Sequence, residues 1–413
     1  MERHEPSLPQ EISQGPQQPA QTHRARKLGQ RAAQGALVIL LCAGVFLSLF
    51  PLGRAFTRSA LLLPALLTAS EPPPLAVAGD AVRFTRLTLF PNTPLPVDLD
   101  IYEPATPPPP IPGGREVILD VPGAGDQRSL PQLVNLSESL AREGIIDVNV
   151  GTPELFGWRV SAQEGQIVVQ AFKFMEHWPG VNPQHIGIFT FSVGSLLAYE
   201  AAADPSIRDK VAFLGILGGY ADVTTLLRSM GTRSQIVNGQ VQRWEPITTT
   251  PYVLYRSVSY LFSPSDQKLL QEAFPYTVKF PPPLPAAKVA QLSPVGAAYY
   301  HLLEGDQPGN VDRNLAALSP SLKALFSQLS PLSVIGQDRA PIHLLHERND
   351  PAVPYSQDVE IAAALARLHH PYDFASYTIF EHVEVNLKST LGQTLTDGSK
   401  LLGVLTSVML AGS

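Results

Sequence analysis

Cysteine is nearly absent: Cys42 is the only one in 413 residues. It cannot form an internal disulfide, and a Cys-rich zinc site is excluded. Charge is also scarce. Asp, Glu, Lys and Arg make up 16% of the chain, against about 25% in an average soluble protein. The formal net charge is −6, so the basic footprint of a nucleic-acid-binding protein is missing. There is no P-loop, no cluster with metal-ligand spacing and no dinucleotide fingerprint; Gly218-Gly219 follows a candidate strand, but no G-x-G-x-x-G continues from it. No cofactor is expected. Internal repeats and heptads are lacking too. What is present argues for a folded protein. Hydrophobic residues reach 44%, too many for a wholly disordered chain. The length suits one large domain or two smaller ones at roughly 150 residues each. Proline occurs 40 times, about twice the usual ~5%, which implies extended linkers and rigid turns.

Residues 1–33 are polar, rich in Gln and Pro, and without apolar periodicity, as in a disordered cytoplasmic tail. The tail ends in a basic cluster, Arg24, Arg26, Lys27 and Arg31. An uncharged apolar run, ALVILLCAGVFLSLFPLG, follows from Ala36 to Gly53. With its flank it is just long enough to cross about 30 Å of hydrocarbon as a helix. Residues 34–53 are therefore expected to form a single transmembrane anchor. The basic residues before the run outnumber Arg54 and Arg58 after it, which places the N-terminus in the cytoplasm and the rest outside. A cleaved signal peptide is the competing reading. The run is long for an apolar signal core and no clear small-x-small site follows. Leu41, before Cys42, stands where a lipoprotein signal wants a small residue. Residues 54–80 then form a juxtamembrane apolar segment (ALLLPALLTA) and a Pro-rich linker.

From Val82 the pattern changes. VRFTRLTLF and a stretch in which Val97, Leu99 and Ile101 alternate with Asp98 and Asp100 read as an antiparallel pair of edge strands. Short apolar runs then alternate with helical patterns. Strands are expected at 116–121, 145–150, 185–191, 211–218, 342–346 and 375–380. Helices are expected at 130–143, 163–178, 194–203, 359–368 and 391–411. This alternation implies an α/β fold with a mostly parallel sheet covered on both faces, and a ligand site beyond the carboxyl ends of the strands. Residues 224–340 interrupt the rhythm. They are too many for a structureless loop, and helical stretches at 266–273 and 314–329 make a mainly helical insertion the expectation.

The strongest chemical signal is HIGIFTFSVGSLLAYEAA. A buried strand ends at Phe191 and a helix begins just after Ser192, giving Thr190-Phe191-Ser192-Val193-Gly194, a variant of G-x-S-x-G in which Thr replaces the first glycine. A serine on so sharp a strand-to-helix turn is held above the sheet, and its neighbours need to be small. The chain from about Val97 onward resembles an α/β-hydrolase, with the insertion at 224–340 standing where relatives carry a lid. The resemblance implies a triad in the order Ser, acid, His. Ser192 is then the nucleophile. Asp350, in APIHLLHERNDPAVPYS, matches the acid of the strand-turn-Asp-x-x-Val-Pro pattern. His382, in YTIFEHVEV after the last strand, matches the base. Competing bases are His343, His346, His369 and His370; competing acids are Asp222 and Glu347. The same resemblance assigns the oxyanion hole to the amides of Ala124 and Val193, with Gly123 in the Pro122-Gly123-Ala124-Gly125 loop allowing close approach. Many relatives have His-Gly where this chain has Pro-Gly, a change that backbone donors tolerate.

These features imply a membrane-anchored serine hydrolase acting on a small, apolar ester or acyl substrate through an acyl-enzyme. A peptidase, thioesterase or acyltransferase would use the same triad, and a non-catalytic binding protein of this fold is the remaining alternative.

Overall fold

In the computed structural model of the protein, residues 44–67, 79–107, 113–276, 281–378, 380–381, 384–385 and 390–411 are described. The chain divides into two compact units, 1–54 and 55–413. Of the first unit, residues 44–54 are described; they are largely helical and expose Val45, Phe46, Leu49, Phe50 and Leu52.

The second unit is built on an eight-stranded sheet. Helix α1 (Pro51–Leu67) leads into β1 (Val82–Leu89), β2 (Val97–Pro104), β3 (Arg115–Val121), α2 (Pro131–Arg142), β4 (Ile146–Gly151), α3 (Gly165–Met175), β5 (Val181–Phe191), α4 (Ser195–Ala203) and β6 (Val211–Leu217). Next come α5 (Val223–Thr232), a hairpin of β7 (Ser234–Val237) and β8 (Gln240–Arg243), α6 (Thr249–Val258), α7 (Pro264–Ala273), α8 (Pro294–Glu304), α9 (Val311–Ala317) and α10 (Pro320–Gln328). The chain then returns to the sheet with β9 (Ile342–Glu347), α11 (Ser356–Arg367), β10 (Tyr372–Tyr377) and α12 (Leu391–Ala411). The strand order is β1-β2-β4-β3-β5-β6-β9-β10. Strand β2 runs antiparallel to β1 and β4, and the other pairings are parallel. This is an α/β fold with a mostly parallel sheet covered by helices on both faces.

The two faces of the sheet follow from the period-2 alternation of strand side chains. Val117, Leu119, Ile186, Ile188, Leu214, Ile216, Ile342 and Leu344 share one core with α3, α4 and α11. Their neighbours Ile118, Phe189, Phe213, Leu217 and Leu345 point the other way, into a second core with α2 and α12. Helix α1, from Ala55 onward, belongs to this second core: Ala55, Ser59, Leu62 and Ala65 are buried, and Arg58 pairs with Glu116 of β3 at 2.9 Å. Among the described residues no helix is long and apolar enough to cross a membrane. Of the run expected to do so, residues 34–43 lie outside the described residues.

Three local differences from the sequence expectations have identifiable causes. Asp100 does not face solvent. Strand β2 is interior, and Arg86 of β1 closes two hydrogen bonds of 2.7 and 2.6 Å on the fully buried carboxylate. The helix expected over 314–329 is broken in two, because Ser319 caps α10 by accepting from the Leu322 amide and Pro320 occupies its first turn. The insertion also contains a hairpin. Asn238 and Gly239 both take positive φ, 52° and 76°, as the tight Asn-Gly hairpin turn requires.

Candidate active site

Strand β5 delivers Ser192 to the carboxyl edge of the sheet. Its φ is +52°, a left-handed conformation that strains a non-glycine residue by about 1–2 kcal/mol. A short 3₁₀ turn, Ser192–Gly194, then passes into α4. The turn fits because glycine stands at 194, where the surroundings leave no room for a side chain. A Cβ on Gly194 would lie 2.4 Å from the Pro122 carbonyl oxygen and 2.8 Å from both the Val121 carbonyl and the Thr190 hydroxyl. One on Gly123 would lie 3.2 Å from the Ser192 Cβ. Thr190 is fully buried, and its Oγ1 donates to the Val121 carbonyl at 2.9 Å. The residue that departs from the glycine of the motif thus ties β5 to β3 just below the turn.

The loop after β3 lies against this turn. The Gly125 amide donates to the Leu155 carbonyl (2.7 Å), and the Gln127 side-chain amide donates to the Ala124 carbonyl (2.9 Å). The Ala124 amide itself donates to no group among the described residues. Val193 lies in the first turn after the strand, where amides have no intrahelical acceptor. Ala124, Ser192 and Val193 line the same cavity, the placement that an oxyanion hole built from these two amides would need.

Asp350 follows β9 on a tight turn. One carboxylate oxygen, Oδ1, accepts from the amides of Ala352 (2.7 Å) and Val353 (3.0 Å). The Trp244 indole donates to the Asp350 carbonyl at 2.8 Å. Asp350 is buried, while Ala352 and Val353 of the same turn form part of the cavity wall around Ser192. His382 lies outside the described residues. The alternative residues have other partners. His343 pairs with Asp373 at 2.9 Å, and His370 bonds the Ala340 carbonyl at 2.7 Å. Asp222 caps α5 by accepting from the Thr225 amide, and Glu347 accepts from the Asn349 amide. His369 follows α11 with φ +51°. None of these lines the cavity.

The cavity has a volume of about 210 Å³. Leu226, Val253, Leu254, Phe326 and Leu329 of the insertion, with Val223 just before it, form much of its wall. Among the described residues no Asp, Glu, Lys or Arg lines it. Several of its polar side chains are already engaged. Thr250 donates to the Ala352 carbonyl (2.9 Å), Tyr220 to the Leu329 carbonyl (2.6 Å), and Ser257 to the Val253 carbonyl while accepting from the Val160 amide. What is left to a ligand is largely apolar surface, with Ser192, Gln127 and Thr249 among the polar residues of the wall. Trp158, which the sequence did not single out, closes over Gly125 and meets Tyr276 in a tilted pair at 4.4 Å between ring centres. Among the described residues no group of three or more His, Cys, Asp or Glu is placed to hold a metal ion.

No family model matches the chain, and no curated protein does. Solved structures resemble it at low identity. A putative dipeptidyl aminopeptidase IV from Bacteroides ovatus aligns with a TM-score of 0.46 and 10% identity, over 80% of this chain and 36% of its own. A puromycin-hydrolyzing peptidase from Mycobacterium tuberculosis gives 0.45 and 17%, over 80% and 39%. Esterase B from Lactobacillus rhamnosus gives 0.42 and 14%, over 94% and 97%. This chain spans less than two fifths of the first two proteins.

Proposed function

We propose that this protein is a serine hydrolase that cleaves carboxylic esters of uncharged, apolar acyl groups. The observation that carries the reading is Ser192 in a left-handed strand-to-helix turn, opening onto an apolar cavity bounded by the Ala124 loop and the Asp350 turn. Ser192 Oγ attacks the ester carbonyl as its proton passes to His382. The oxyanion accepts from the Ala124 and Val193 amides. The carbon–oxygen bond to the alcohol then breaks, and the leaving alkoxide takes the proton from His382. Water repeats the sequence on the acyl-enzyme and releases the acid. Asp350 orients His382 and stabilises its charged form.

The preference for esters of neutral acids rests on the cavity lining. A peptidase that grips a free amino terminus needs an anionic group near the nucleophile, and the described residues that line this cavity are uncharged. Purified protein should hydrolyse nitrophenyl esters of medium-chain acids, and Ser192→Ala should abolish this. Faster turnover of aminoacyl amides or thioesters than of any ester would replace the reading with a peptidase or thioesterase. A folded protein inert toward all of them would favour a binding role.

The same proposal places the catalytic unit outside the cytoplasmic membrane, held by residues 34–53. Support comes from the basic residues before the apolar run and from the exposed apolar side chains at 45–52. Protease added to spheroplasts should degrade the catalytic unit; complete protection would overturn the topology.

A further inference from the structure

His346 has no part in the chemistry proposed above, yet it is fully buried directly behind the Asp350 turn. Its Nδ1 lies 2.8 Å from Asp358 Oδ2, and its Nε2 lies 3.0 Å from the Val353 carbonyl and 3.7 Å from Asp350 Oδ2. A carbonyl only accepts, so Nε2 carries a proton. Asp358 is also fully buried; burial raises its pKa, and the charge and hydrogen bond of His346 oppose that rise. Ionised, it accepts from Nδ1, which leaves a ring donating from both nitrogens. Val353 is held at both ends of its peptide unit: its amide donates to Asp350, and its carbonyl accepts from His346. We propose that His346 is a positioning residue for Asp350, its imidazolium anchoring the turn that aims the carboxylate and supplying a fixed positive charge behind it. This rests on the hydrolase reading of the Ser192 site.

Other groups around the ring are consistent with that role. Tyr355 presents its ring at 5.7 Å, edge-on. Arg348 lies over the Tyr355 ring, with 6.0 Å from guanidinium carbon to ring centre. Burial, and then the charges of Asp350, Glu347 and Asp358, push up the Tyr377 hydroxyl, and burial with Asp358 and Asp338 does the same to Tyr199. For His346, burial opposes the charged ring. The charge and hydrogen bond of Asp358, followed by Asp350 and the Val353 carbonyl, outweigh it and raise the pKa to about 9.

The test uses the full chain. Removing a positive charge behind Asp350 favours a proton on His382, so the acid limb of the kcat/KM profile should move to higher pH. His346→Gln should lower kcat about tenfold with little change in KM, and shift that limb upward by roughly half a pH unit. Asp358→Asn keeps the bond to Val353 but removes the reason for the charge along with its own negative charge, and should give a smaller shift in the same direction with a smaller loss of rate. Folded variants with an unmoved acid limb would overturn the proposal, because a merely structural histidine changes rate or stability and not that limb. Nitrogen-15 spectra of His346 in the unaltered protein decide the charge whether or not the variants fold: a doubly protonated ring at pH 7 is expected, and a neutral ring would refute it. Labelling of Ser192 by a fluorophosphonate in the same sample separates failure of this inference from failure of the hydrolase reading.

Discussion

Gly194→Ala is the sharpest perturbation of the nucleophile turn, because it adds one methyl group between the two halves of the proposed oxyanion hole. The new Cβ would meet the Pro122 carbonyl oxygen at 2.4 Å, whereas ordinary contacts begin near 3.4 Å. The loop carrying Ala124 and the turn carrying Val193 therefore have to separate by about 1 Å. The obstructing atoms are mainly backbone, so no side-chain rotation relieves the clash. A misplacement of about 1 Å in a catalytic constellation is enough to lower the rate about 100-fold. Overpacking a close-fitted site should also remove about 1–3 kcal/mol of stability. The assay is kcat and KM for a short nitrophenyl ester, with urea denaturation of the same preparation. The expected result is a fall in kcat of about 100-fold, nearly unchanged KM and a modest loss of stability. A variant destabilised as expected but turning over at the normal rate would show that these two loops do not form the oxyanion hole. Gly123→Ala, whose added carbon would sit 3.2 Å from the Ser192 Cβ, should have a milder effect.

Two further perturbations test the cavity and the buried charges. Leu226 lines the cavity, and Leu226→Trp should raise KM for long-chain esters at least about tenfold, the value of one or two lost methylene contacts, while sparing acetate esters; an equal effect on both chain lengths would mean that the acyl group binds elsewhere. Asp338 is almost completely buried, neither carboxylate oxygen has a hydrogen-bond partner among the described residues, and burial raises its pKa to about 8. The native state therefore holds its proton more tightly than the unfolded chain, and this stabilisation is complete below about pH 4 and lost as pH rises through 8. Asp338→Asn should be more favourable at pH 8 than at pH 5, relative to the unaltered protein, by an amount on the order of 2–4 kcal/mol; a pH-independent difference in denaturation would contradict the buried protonated form.

Much of the sheet is legible in the sequence because its strands are buried on both faces and flanked by clear helix patterns. The run HIGIFTF, bounded by a polar stretch and by Ser192-Val193-Gly194, marks the end of β5 correctly. Its beginning at Val181 is hidden, because Pro183 and Gln184 interrupt the apolar signal. Asp100 was misleading for a different reason. Alternation with Val97, Leu99 and Ile101 places it on the opposite face of the strand, but only the tertiary neighbour Arg86 reveals that this face is covered. The hairpin at 234–243 was announced by Asn238-Gly239, a turn signal submerged in a segment dominated by helical patterns.

At the site, Ser192 and the Pro122–Gly125 loop are readable because strained turns demand small residues in fixed order. The cavity is not. Its wall is assembled from Val223, Val253, Leu254 and Phe326, residues far apart in the chain and indistinguishable in sequence from core. His346 had a partial signature. Alternation in β9 puts it on the face of Ile342 and Leu344, which points to burial, but the compensating Asp358 comes from the first turn of α11, and that meeting is a matter of packing.

The central claim is that Ser192 is an activated nucleophile. Treatment of the purified protein with a fluorophosphonate, followed by mass spectrometry of its peptides, tests this most directly. A single adduct on Ser192, formed at the rate at which ester hydrolysis is lost and absent from Ser192→Ala, is the expected result. Intact esterase activity with Ser192 unmodified, or an adduct on another residue that accounts for the lost activity, would contradict it.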